Sequence, residues 1–151
     1  MTTLPARTPW HLWAVGAISL LWNAFGANDY LQTQLGNLEY MEGMVTDMGV
    51  SAEAALAYFI GFPGWVHAFW ALGVWSSVLG SVLLLMRLRY AVWAFALALL
   101  GLAGTTFYQA ISEQPEWVTS GPSAAISIVI WSIATFLLIY ALSMKNKGVL
   151  R

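Results

Sequence analysis

Few residues in this chain are able to do chemistry, and the one that stands out is Asp29. It lies in the run Trp22-Asn23-Ala24-Phe25-Gly26-Ala27-Asn28-Asp29-Tyr30, inside or at the edge of a long apolar stretch. A carboxylate in apolar surroundings holds a cation, a proton or a hydrogen-bonded solute, unless it sits far enough out to be solvated at a helix end. Asn23 is a second candidate. Counted from Leu12 it falls roughly 17 Å along a helix, close to the middle of a bilayer, where an unpaired amide is costly. Ser19, Asn23, Gly26, Tyr30 and Thr33 share one helical face. Asn23 is therefore either an interhelical hydrogen-bonding group or a solute ligand. His67, Thr105 and Gln109 complete the set. With Asp29 they fall at similar depth on three apolar segments. They are expected to converge on one polar pocket that opens to the outer face under the helices of the first loop, in which an Asp29–His67 contact would make a proton-sensitive site. The plainer alternative for His67 is an interfacial position beside an aromatic belt.

The same inventory excludes much. There is no cysteine, so thiolate metal sites, iron–sulfur clusters and disulfides are out. The only histidines are His11 and His67, which the reading below places at opposite membrane faces, so bis-histidine haem ligation fails. No carboxylate-rich or histidine-rich metal cage, activated nucleophile, phosphate-binding loop or dinucleotide fingerprint is present. No cofactor is expected, and nothing argues for an enzyme. A formal net charge of −1 leaves no basic footprint for nucleic acid.

The elements that must position these residues are membrane spans. The 151 residues are 60% hydrophobic and 9% charged, against about 25% charged in soluble domains. Lipid must therefore be the solvent for much of the chain. Four apolar stretches reach the ~20 residues needed to cross a bilayer: about 12–31, 63–86, 90–111 and 122–144. Pro63 and Pro122 sit where proline is tolerated, in a first helical turn. Arg87-Leu88-Arg89 makes the second and third spans an antiparallel hairpin, and 112–121 reads as a short loop.

Between the first two spans, Leu38, Met41, Met44, Val45 and Met48 recur at helical spacing, with Glu39, Glu42, Thr46 and Asp47 opposite them. This predicts a short amphipathic helix lying on the membrane face or capping the bundle, ended by Gly49. Ser51, with Glu53 in the first turn, predicts the N-cap of a second short helix through about Ile60. Stripes of small residues, Gly73, Ser77 and Ser81 on the second span and Ala94, Ala98, Gly101 and Thr105 on the third, signal close packing. Trp70 and Trp75 lie inside the second span, where they either wall a pocket, dock a neighbouring subunit or a lipid, or pack, and packing is the expected role.

Charge sets the expected orientation. All six basic residues, Arg7, Arg87, Arg89, Lys145, Lys147 and Arg151, fall on one side of a four-span arrangement. Glu39, Glu42, Asp47, Glu53, Glu113 and Glu116 fall on the other. By the positive-inside rule both termini are cytoplasmic. Arg7, the apolar stretch and Ala24-Phe25-Gly26, with its small residues at 24 and 26, also resemble a cleavable leader, but we expect the segment to stay as the first span.

Trp10-His11-Leu12-Trp13, Leu21-Trp22-Asn23-Ala24 with Gly26, Asp29 and Tyr30, Phe62-Pro63-Gly64-Trp65 and the final Gly148-Val149-Leu150-Arg151 carry a resemblance over nearly the whole chain. The chain resembles a group of small four-helix proteobacterial inner-membrane proteins loosely labelled "sugar transporter". The resemblance implies a bacterial inner-membrane location and hands over no site residues. The chain differs from sugar-efflux families built from three-helix repeats with interior prolines, since no span here has one.

The expectation is an all-α, single-domain, four-span bundle with one or two short amphipathic helices in the first external loop. Its partners are membrane lipid and either further copies of itself or a larger membrane complex. Two functions compete: a small transporter or binder of a polar solute or ion using Asp29, Asn23, His67, Thr105 and Gln109, and a non-catalytic accessory subunit of an energy-transducing assembly.

Overall fold

The structure, a computed structural model, describes residues 7–151. Among them all regular structure is helical: α1 Trp10–Gln34, α2 Leu38–Val45, α3 Ala52–Ile60, α4 Gly64–Leu85, α5 Ala91–Ile111, α6 Glu116–Thr119 and α7 Gly121–Asn146. Three helices, α4, α5 and α7, are long and apolar enough to cross a membrane. α1 is as long as they are, 25 residues or roughly 37 Å. It is less apolar because it carries His11, Asn23, Asn28, Asp29 and Gln32.

The long helices run up, down, up and down, with α1 packed on α4, α4 on α5 and α5 on α7. Small residues draw α4 and α5 together. A Cβ added at Gly101 would stand 2.3 Å from the Gly73 nitrogen and 2.6 Å from the Phe69 carbonyl oxygen. Glycine is required there by proximity, as the small-residue stripes imply.

One end of the bundle is knitted by an apolar core of Leu12, Leu84, Ala91, Phe95, Leu137, Ala141 and Met144. The last residues complete it. Val149 and Leu150 are buried among these side chains. Arg151 pairs with the α4–α5 turn, its N–H donating to the Arg87 carbonyl and its carbonyl accepting from Arg89 N–H, both at 2.8 Å. Arg87 turns the chain with φ +60. Every basic residue of the chain belongs to this end.

All seven acidic residues belong to the opposite end, where α2 and α3 lie over the bundle. Asn37 caps α2 by accepting from Tyr40 N–H at 3.1 Å, and Ser51 caps α3 by accepting from Ala54 N–H at 3.2 Å. α2 stops at Val45. A turn then carries Met48 to Gly49, which takes φ +68. The segment 112–121 holds more than a loop: α6 forms one helical turn there, because Pro115 starts it and Glu116 accepts from Ser120 N–H. Met41, Val45, Ala52, Ala55 and Leu56 form a second core under this cap, against Trp117 of α6.

Candidate functional site

The five residues singled out by sequence divide into three environments. Asn23 belongs to a buried polar knot between α1 and α4. Its amide donates to the Ser77 carbonyl at 3.1 Å and to the Ser81 hydroxyl at 2.9 Å. Ser19 lies 3.0 Å from the same hydroxyl. Both amide hydrogens are spent on α4, so Asn23 joins helices and has no donor left for a solute.

His67 and Thr105 also have other partners. The His67 ring nitrogens lie 3.2 Å from the Gln34 amide and 3.3 Å from the Ile60 carbonyl, and its ring stacks on Trp70. The residue thus ties α4 to the ends of α1 and α3, and it forms no ion pair with Asp29. The Thr105 hydroxyl is bonded back onto its own helix, to the carbonyls of Gly101 and Leu102. This is the usual fate of a threonine in a membrane helix, where Oγ has no water to reach.

Asp29 and Gln109 do come together. Both line a cavity of about 180 Å³ between the acidic ends of α1, α5 and α7, roofed by α2 and α3. Trp70, Phe59 and Trp117 supply aromatic wall, and Met41, Met44, Val45 and Met48 supply the roof. Thr33, Ser123 and Ser127 add hydroxyls, but each already spends its hydrogen within the protein. Thr33 donates to the Asp29 carbonyl at 2.9 Å, Ser127 to the Ser123 carbonyl at 3.0 Å, and Ser123 faces the Met48 sulfur at 3.6 Å. The groups that can still meet a ligand are the Asp29 carboxylate, which has the Tyr40 hydroxyl beside it, the Gln109 amide, which lies against Tyr58, and the three hydroxyl oxygens as acceptors.

The roof has its own electrostatics. The Tyr40 hydroxyl is buried against Asp29 and Asn28 but closes no hydrogen bond of good geometry. Burial, and then the neighbouring Asp29 charge, hold its pKa above the ordinary 10. Tyr58 on α3 donates to the Gln114 side chain, which in turn donates to Ser112 at 2.6 Å. Its phenol is also raised, chiefly by burial. These contacts fasten α3 to the end of α5.

Of the wall residues, Trp70 was weighed as a pocket wall but expected to pack, and Trp117 was not singled out. For Trp70 the signal was its interior place in an apolar segment. For Trp117 there was none, because its role depends on α6. The methionines were visible as an apolar helical face expected to lie on the membrane or cap the bundle, and the structure lays them over the cavity. Among the described residues no group of three metal-ligating side chains is present. Comparison with protein-family models, with curated proteins and with solved structures returned no match.

Proposed function

We propose that this chain is a small membrane protein that binds a solute in the cavity beside Asp29 and Gln109, as a binding protein or the binding unit of a transporter. The observation that carries the reading is a carboxylate on the wall of a mostly apolar cavity of aromatic, methionine and aliphatic side chains with a few polar groups, roofed by two capped helices. Apolar lining with a few convergent polar groups is the usual form of a small-ligand site.

In this reading α1 is the fourth span beside α4, α5 and α7, and the membrane is a bacterial inner membrane, consistent with the family resemblance. The segregation of six basic residues to one end and the acidic residues to the other supports cytoplasmic termini. The test is a thermal-stability screen of the purified chain against neutral, anionic and cationic small solutes, repeated on Asp29→Asn. A shift produced by one class and lost in the variant supports the reading. No shift from any class sinks it.

The reading of the chain as an accessory subunit draws on α7, which leans on α5 and leaves Ile126, Ile128, Val129 and Ile130 exposed. Lipid would also cover such a face. Native-gel sizing of a mild-detergent extract separates the two: a stoichiometric larger complex favours the subunit, and a chain running alone or with its own copies favours the binder.

A further inference from the structure

We propose that the ligand of this cavity is a small organic cation, an amine or quaternary ammonium with an aliphatic body. This rests on the solute-binding reading above and narrows it to one chemical class.

The argument is first one of charge. Asp29 is the only charged residue lining the cavity. Every basic side chain of the chain belongs to the other end of the bundle, so none neutralises it. From Trp10 to Asp29 alone is roughly 28 Å of helix. An anion would meet the carboxylate with no countercharge.

A neutral polyol fares little better. Its hydroxyls each need a partner, and a buried hydroxyl left unpaired costs about 1–3 kcal/mol. The hydrogens of Thr33, Ser123 and Ser127 are spent within the protein, so the Gln109 amide is the one hydroxyl or amide side chain of the lining left to donate to a sugar's several oxygens. A hard metal ion needs about six oxygens, chiefly from carboxylates and carbonyls, and one carboxylate with one amide falls short of that.

A soft cation meets what is there. Trp70, Phe59 and Trp117 offer rings, whose faces attract a cation, and methionine sulfurs are polarisable and adapt to an aliphatic body. Size agrees as well. At roughly 30 Å³ per water-sized group, a cavity of about 180 Å³ holds on the order of six heavy atoms. Tetramethylammonium falls within that size.

The experiment titrates the purified full-length chain with tetramethylammonium chloride against sodium chloride of equal ionic strength, by calorimetry and by tryptophan fluorescence. Glucose and acetate are titrated in parallel. We expect saturable tetramethylammonium binding, weakened at least tenfold in Asp29→Asn and several-fold in Trp70→Leu, both checked for monodispersity. If Asp29→Asn does not fold, Trp117→Leu supplies the second variant. Binding of glucose or acetate with none of tetramethylammonium overturns the cation inference and leaves the solute-binding reading standing. Cation binding indifferent to both Asp29 and the tryptophans overturns it too. Binding of nothing in the panel overturns both.

Discussion

The amide of Asn23 donates to the hydroxyl of Ser81 at 2.9 Å, joining the middle of α1 to α4. The bond matters because α1 is the least apolar of the four long helices and packs chiefly on α4. Interhelical hydrogen bonds in membranes are worth about 0.6 kcal/mol on average and up to about 1.7. Asn23→Ala should therefore destabilise the chain by about 1 kcal/mol, and Ser81→Ala by a similar amount. In a double-mutant cycle read by denaturation in mixed micelles, the two losses should be non-additive. Strict additivity would mean that the pair is not coupled.

A larger effect is expected at Gly101. Its added Cβ would meet backbone atoms of Gly73 and Phe69, which have no rotamer to move away by. Gly101→Val should cost at least the roughly 1–3 kcal/mol of core overpacking by separating α4 from α5. Gly43→Ala, where a Cβ meets open space, serves as the control. Equal stabilities of the two variants would contradict the close approach.

The final residues should behave as core. Leu150 is 5% exposed and packs with the basic-end cluster. Leu150→Ala should cost about 2 kcal/mol or more, in the range of buried leucine truncations. Deleting residues 149–151 should cost more, since it also removes two hydrogen bonds at the Arg87–Arg89 turn. A truncated chain with unchanged unfolding would show that the tail does not dock.

Alkaline pH tests the roof. Tyr40 and Tyr58 both have pKa values raised above the ordinary 10 in the folded chain, mainly by burial. The unfolded chain then releases these protons first, so stability should be level below about pH 10 and fall as pH rises beyond it. Tyr40→Phe and Tyr58→Phe should each flatten that fall. The ultraviolet absorbance of tyrosinate, followed alongside the unfolding signal, checks it. A wild-type chain whose tyrosines all titrate at the ordinary value would contradict the burial of these hydroxyls.

Much of the architecture was legible in the residues. Apolar runs of spanning length, punctuated by Pro63, Arg87 to Arg89 and Pro122, mark the long helices because apolar length and proline placement act locally. Ser51 and Gly49 mark the short helices for the same reason. The charge segregation is likewise a property of sequence order alone.

What the chain order could not decide is which side chains meet. Asn23, Asp29, His67, Thr105 and Gln109 all read as polar groups in apolar helices, and similar depth suggested one pocket for four of them. Rotation of each helix about its axis, set by the Gly73–Gly101 approach and the Asn23–Ser81 bond, decides otherwise. It turns Asn23 into the α1–α4 seam, Thr105 onto its own backbone and His67 toward Gln34. Only Asp29 and Gln109 are left facing the cavity. The same packing brings Trp117 from an unremarked turn to the wall and lays Met41, Met44 and Met48 across the top. Depth along a helix follows from residue count; direction around it follows from close contacts between helices distant in sequence, and these exist only in the folded bundle.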